Sequence, residues 1–256
     1  MKADRLVIAA GAALFLLVLL GVVQAIAELR VVSPVFFPSP LRIAEALYRQ
    51  IAAGSIWSPL AQTCARMLSG WLLAVALGIC VGAVIGSSAW AASYLDPTLE
   101  FLRTLPASAV MPIFILFMGL TPQMIVSVIS FGALWPVLLG SLHGFRSVEP
   151  RLLEVADTLE LGRFERLVKI AIPNAVPDIL SGMRVSLAFA LILSVVAEML
   201  SSAEGLGNNV LLASRSFRTS DLYAGIMVLG VVGALTTAAL GVLERRLLRW
   251  RAEVSH

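Results

Sequence analysis

The chain has 256 residues, 59% of them hydrophobic and 14% charged, with a mean hydropathy of +0.93. Soluble domains carry roughly a quarter charged residues, and a core of this size cannot hide so much apolar surface, so the excess must face lipid. A net charge of +3, with the basic residues scattered over ends and loops, gives no footing for a nucleic-acid partner.

Six apolar runs are long enough to cross a membrane: about 6–29, 64–88, 98–120, 123–143, 180–201 and 222–244. The first follows the basic stretch MKADR, and Ala25-Ile26-Ala27 is similar to a leader-peptidase site. Its apolar part exceeds the roughly 7–15 residues of a secretory leader, which predicts an uncleaved, peripheral first span. After VVSPVFFPSP comes LRIAEALYRQIAA, where Ile43, Ala46, Leu47 and Ile51 recur at helical spacing. That pattern predicts an amphipathic helix on the membrane surface.

The second run holds GICVGAVIGSS, with Gly78, Gly82 and Gly86 on one face. Small residues let helix backbones approach closely, here against another span of the same chain in preference to a second subunit. Cys64 and Cys80 match no metal or redox spacing and read as small packing residues. Asp96-Pro97 predicts the start of the third helix. Pro106, Pro112 and Pro136 interrupt the middle runs. Broken helices at membrane depth persist where protein or a water-filled cavity meets the freed backbone groups, so these runs are candidates to line a path. The alternative is a simple kink against a neighbouring helix. The candidate path residues are Thr104, Ser108, Met111, Phe114, Ser127 and Ser130, with Ser186 and Glu198 on the fifth run. Neutral hydroxyl donors among them suit an oxyanion. Glu198, an acid within an apolar run, reads as a gate or an inter-span hydrogen bond, or else as a side chain reaching back to the interface. Between the last two runs, SSAEGLGNNVLLASRSFRTSD is a connection with Gly205 and Gly207 as its turn residues.

Orientation follows from Lys and Arg. With both termini inside, Arg30, Arg42, Arg49, Arg66, Arg215 and Arg218 fall outside, and the other thirteen of the 19 basic residues fall inside. The compact charged stretch Glu154–Pro177, EVADTLELGRFERLVKIAIPNAVP, is then cytoplasmic. Pro150 opens a first helical half with Leu152, Val155, Ala156 and Leu159 on one stripe. A second half, Arg163 to Ile172, places Phe164, Leu167, Val168 and Ala171 on one face and Arg163, Arg166 and Lys169 on another, with Pro173 ending it. Such a helix, with an aromatic anchor and a basic rim, fits a groove of a soluble partner or lies on lipid headgroups. Arg184 is a structural anchor or a contact for an anion, Glu154 a cap or an ion-pair partner. His143, alone, makes no metal site.

This stretch resembles the signature loop of ABC importer permeases, E-A-A, three residues, G, nine residues, I-x-L-P. Glu154, Val155 and Ala156 match its opening, Ile170 its later aliphatic position and Ile172-Pro173 its close. Pro177, Gly182 and Arg184 follow at the expected places. LDPTLEFLRTLPASAVMPIFILFMGL, AEML (197–200), EGLG (204–207) and LERRLLRW are similar to the nitrate, sulfonate and taurine uptake branch, and the likeness runs from about Phe37 to Trp250. The resemblance implies an all-α, type I importer fold of about six spans in one domain, 1–256. It implies a coupling loop, about 150–173, in which Glu154, Ala156, Glu160, Leu161, Gly162, Arg163, Phe164, Arg166, Leu167 and Pro173 engage an ATPase. No G-x-x-x-x-G-K-[ST] occurs, so the P-loop route to ATP is closed to this chain; ATP and Mg belong to two partner ATPase subunits. A second permease copy, a periplasmic binding protein and the bacterial inner membrane complete the implied setting, with a sulfonate, taurine or nitrate as substrate. A thiamine-precursor pyrimidine or another small solute is the alternative. An intramembrane enzyme lacks a convergent constellation, and a secondary transporter lacks the usual intramembrane charges or repeated halves. One departure stands out: the signature glycine falls at Glu160. Since a non-glycine residue at positive φ is strained, the expectation is that the turn has slid two residues to Gly162.

Overall fold

The computed structural model describes residues 36–248 continuously, preceded by 21–29 and by residues 11, 14, 15, 18 and 33, except for the side chains of Ala89 and Arg163. The first predicted span, 6–29, therefore falls in part outside the described residues, as does the end of LERRLLRW. Residues 21–28 are helical and form α1. There follow α2 (Pro40–Ala52), α3 (Trp57–Gly86), α4 (Ala89–Arg103), α5 (Ala107–Met118), α6 (Pro122–Arg146), α7 (Pro150–Thr158) and α8 (Arg163–Arg166). A widened π-turn, Leu167–Ala171, runs directly into α9 (Ile172–Ser201), and α10 (Leu206–Arg215) and α11 (Thr219–Leu247) close the order. No strand occurs among the described residues.

Among the described residues, four stretches are long and apolar enough to cross a membrane: Trp57–Gly86, Pro122–Arg146, Phe164–Ser201 and Thr219–Leu247. The centre is α6, sandwiched between α3 and α9. Glycine sets both contacts. Along α3, an added Cβ at Gly70 would stand 2.6 Å from Ile129, and one at Gly78 would stand 2.9 Å from Val137; Gly82 faces Ser141 and Gly86 faces Phe145 in the same way. These matched numbers rise together, so α3 and α6 run parallel. The predicted glycine face thus packs against a span of its own chain. Between α6 and α9, Gly140 meets Asp178, Gly144 meets Ala175 and Gly182 meets Pro136, an antiparallel match. With backbones this close, dispersion and hydroxyl bonds replace the hydrophobic effect that lipid cannot supply. Ser130 Oγ donates to the Gly70 carbonyl at 2.9 Å and Ser186 Oγ to the Ala133 carbonyl at 2.6 Å.

Parallel α3 and α6 require the chain between them to return across the bundle. That return is broken: α4 and α5 meet at 95°. The single third span predicted over 98–120 is thus two helices. The break falls at Leu105-Pro106, where Pro106 has φ −66° and ψ 124°. Proline lacks the N–H that would continue α4, and its ring disfavours helical backbone at Leu105. Asp96-Pro97 does not start a helix; both lie inside α4, whose N-cap is Ser88, its side chain accepting from the Ala91 N–H at 3.2 Å. The predicted amphipathic helix is α2. Its Ala46 is fully buried, it packs against α11, and Gln50 Nε2 donates to Asp221 Oδ1 at 3.2 Å. Cys64 packs on the main core, but Cys80 is exposed, so the packing role predicted for it does not hold within this chain.

Candidate functional site: the 150–173 segment and the opposite polar cluster

The charged segment caps the end of the bundle formed by Gly86, Arg146 and Ile172. Its first helix, α7, begins with Pro150 at N1, where a missing N–H costs nothing. It ends in a Schellman turn: the Leu161 N–H bonds to the Ala156 carbonyl and the Glu160 N–H to the Asp157 carbonyl, both at 3.0 Å. The residue that this motif holds in the left-handed region is Glu160, at φ 50°. The turn has therefore not slid. Glu160 occupies the glycine position and bears a side chain there, at a cost of about 1–2 kcal/mol for an L-residue. Gly162 has another task as N-cap of α8: its N–H donates to Glu165 Oε2 at 3.3 Å, the glutamate half of a capping box.

Arg166 fastens the two halves together. Its Nη1 lies 2.6 Å from Asp157 Oδ1 on α7, and its Nε donates to the Leu161 carbonyl at 2.8 Å. It is thus folded inward and does not form the basic rim that helical spacing suggested. Lys169 pairs with Glu165 at 2.7 Å, while the Arg163 side chain lies outside the described set. The predicted apolar face also splits. Phe164 is 76% exposed and Val168 is exposed, whereas Leu167 and Ala171 pack on Phe145, Ala175 and Ile179. The cause is the π-turn, which changes the angular spacing after Arg166. The same turn widens the helix just before Pro173, whose ring would otherwise meet the carbonyl four residues earlier. Pro173 consequently does not end the helix; Phe164–Ser201 is continuous. Asn174 Nδ2 ties it to the α6–α7 connection through the Gly144 carbonyl (3.0 Å) and Ser147 Oγ (3.1 Å). Glu154 lies exposed within α7, whose N-cap is Glu149, so it does not cap the helix, and its carboxylate makes no ion pair among the described residues. Ala156 is fully buried and Leu161 half-buried.

The opposite end holds a cluster of which the sequence marked only Glu198 as a candidate site residue. Glu198 on α9 has 0% exposure. Its carboxylate accepts from Thr63 Oγ1 (2.9 and 3.0 Å), Arg66 Nη1 (3.0 Å) and the Gly207 N–H (3.0 Å). It is an inter-span bond and does not reach back to the interface. Arg66 also donates to the Glu204 carbonyl at 2.6 Å and to Gln62 Oε1 at 2.6 Å, and the Leu206 N–H donates to Thr63 Oγ1 at 2.9 Å. Gly205 and Gly207 are not turn residues at positive φ: Gly205 is extended and Gly207 lies in α10, a helix that was predicted only as a connection. A Cβ at either would strike the Glu198 carboxylate or the α9 backbone, so close approach is their reason. Ser58 Oγ donates to Glu204 Oε1 at 2.7 Å, and with Gln62 it holds the Glu204 carboxyl below the usual range. An i, i+3 spacing of Thr63 and Arg66 facing an intramembrane acid was the available sequence signal.

The candidate path residues do not converge. Ser130, Ser186 and Met111 are buried; the two serines bond across helix pairs, which corrects their reading as path-facing donors. Ser127 donates to the Gln123 carbonyl within its own helix, and Phe114 stacks with Phe131 at 6.1 Å. Thr104 and Ser108 are exposed on either side of the 95° break. Arg184 pairs with Glu244, linking α9 to α11 as an anchor. His143 is exposed on the last turn of α6, and no His, Cys, Asp and Glu group with metal-site geometry occurs among the described residues.

Glycine-packed apolar helices, a broken return and an exposed aromatic tip on a stapled helical segment define a membrane-spanning α-helical protein. The chain belongs to the family of binding-protein-dependent transport system inner membrane components, whose pattern matches residues 74–249, and is thus an ABC importer permease. A Bacillus subtilis protein named as an aliphatic sulfonates transport permease, SsuC, is 37% identical over 234 residues, covering 91% of this chain and 85% of its own. The taurine transport system permease protein TauC of Escherichia coli is 31% identical over 93% of this chain and 89% of its own. The nitrate import permease protein NrtB of Leptolyngbya laminosa is 30% identical over 76% and 70%. Among solved structures, an inward-facing MetNI methionine ABC transporter superposes at a TM-score of 0.64 with 15% identity, over 73% of this chain and 93% of that one. An amino acid ABC transporter crystallised with histidines superposes at 0.60 with 17% identity, over 79% and 97%. At such identities the two structures speak for the type I importer fold alone.

Proposed function

We propose that this chain forms, as a homodimer, the path by which a sulfonate, taurine or nitrate enters a bacterial cell across the inner membrane, both termini being cytoplasmic. Two ATPase subunits holding ATP and Mg dock on the two copies of the 150–173 segment. A periplasmic binding protein delivers substrate to the outer segments around 31–62 and 202–220. ATP-driven closure of the ATPases pulls the stapled α7–α8 unit and swings the spans between two arrangements. One observation carries the reading: Phe164 stands exposed on a segment that is otherwise stapled internally by Arg166 and fixed to the bundle through the π-turn. An exposed aromatic on a rigid mount is the anchor that a soluble partner's pocket requires. The substrate class is supported by the names of the three relatives. In a reconstituted system the account expects ATP-dependent uptake, and expects the ATPase to co-purify with the wild type but not with Phe164→Ala; uptake at a rate independent of ATP would refute it.

A further inference from the structure

A cavity of about 900 Å³ lies between the ends of α3 and α6, the start of α4 and the π-turn. One wall is apolar, from Ile85, Phe145, Leu167 and Ile170; the other carries Arg146, Arg166 and Asp96. Arg146 is paired with Asp96 and Arg166 with Asp157, so the pull on an anion comes from the guanidinium donors that those two carboxylates leave unused. Arg146 uses only Nη2, on both oxygens of Asp96 (2.9 and 3.1 Å), and Arg166 uses Nε and Nη1. A guanidinium has five N–H donors, so each retains donors with no partner among the described residues. The cavity sits at the end of the apolar run of α3, the level of a membrane interface. Nearby on α4, Trp90 and Tyr94 are 74% and 66% exposed with rings 4.9 Å apart, the amphipathic aromatic pair typical of headgroup depth.

We propose that this cavity holds the headgroup of an anionic phospholipid of the cytoplasmic leaflet, bound beside the coupling segment and tuning how firmly that segment is seated. The shared chemistry is a phosphate-ester anion on two guanidiniums. The apolar wall selects the form that brings acyl chains with it, and the volume is that of a small-ligand site. Basic pockets between helices on the cytoplasmic face suit such headgroups. The π-turn supplies the wall on the coupling side, so occupancy is felt by Leu167 and Ile170 directly. The inference rests on the reading of the 150–173 end as cytoplasmic.

The test is lipid retention by the full permease–ATPase complex, read by native mass spectrometry after reconstitution in phosphatidylcholine with or without phosphatidylglycerol. The wild type should retain phosphatidylglycerol selectively. Arg146→Gln should lower that retention about tenfold, as befits loss of a charged hydrogen-bond partner, and Asp96→Asn should raise it. Both variants break the same ion pair, so a purely structural pair predicts that they act alike; equal effects in one direction would overturn the proposal. Ala92→Trp, which puts an indole into the cavity, should lower that selectivity, and unchanged selectivity would likewise overturn it. In phosphatidylcholine alone, added glycerol phosphate should not substitute; if it binds as well, the occupant is a soluble phosphate ester and the lipid assignment fails. Retention is read without transport, so failure of the importer reading, seen as uptake indifferent to ATP, is a separate result.

Discussion

The two ends of the bundle treat charge in opposite ways. At one end Glu198 and Arg66 are drawn inward and fully partnered, locking α3, α9 and α10 together. At the other, Arg166 pairs with Asp157 across the two halves of the 150–173 segment, Lys169 pairs with Glu165 within the second, and Phe164 stands in the open. The first end is a rivet in a low-dielectric site; the second is a stiff handle with a strained residue in its hinge. A subunit that must transmit force from a motor needs a rigid lever at the motor side and a fixed point on the far side. Under the proposed function, the difference between the ends fits that division of labour.

The largest way to break the comparison is to remove the rivet. Glu198→Ala takes the carboxylate away from Thr63, the Gly207 N–H and the half-buried Arg66, and should cost up to about 3–5 kcal/mol, read as a strong fall in thermal stability of the detergent-solubilised protein. Glu198→Gln keeps the donors partnered and should cost less. Next in size, Gly182→Leu forces α9 away from Pro136 and should cost about 1–3 kcal/mol or more, whereas a matching change at exposed Gly230, which faces open space, should be near neutral. Glu160→Gly works in the opposite direction. It relieves the left-handed strain and should stabilise the segment by about 1 kcal/mol, seen as stronger protection of α7 amides from exchange. Arg166→Ala removes the staple between α7 and α8, which should cost about 1 kcal/mol or less in stability yet uncouple ATP hydrolysis from uptake. The smallest effect concerns Glu204. Its folded carboxyl titrates below its unfolded value, so its contribution is present above the unfolded carboxylate range and is lost as pH falls through the folded one. Ser58→Ala should flatten that acidic limb of the stability–pH profile slightly.

The sequence made four of its six predicted spans visible because lipid-facing apolar runs need no tertiary context, and it made the loop visible because its charge stands against them. Asp96-Pro97 misled because a local start signal competes with helix already propagating from Ser88. The Glu160 turn misled because local strain argued for Gly162, while the Schellman bonds to Ala156 and Asp157 outweigh it. The partners of Glu198 were hidden by distance along the chain: Thr63 and Arg66 lie more than 130 positions away, and only the fold brings them to one carboxylate. Ser130 and Ser186 looked like path residues because a hydroxyl in an apolar run has two equal readings, and only packing chooses the inter-helix one.

The central claim is that Phe164, held on a stapled mount, is where a motor takes hold of this chain. The direct measurement is ATP-driven uptake of taurine, an alkanesulfonate or nitrate into proteoliposomes holding permease, ATPase and binding protein, comparing wild type with Phe164→Ala. The account predicts that the variant inserts normally, loses the ATPase on purification and takes up substrate at least tenfold more slowly, about the loss expected for truncating a hot-spot anchor. Undiminished uptake with the ATPase still bound would contradict it.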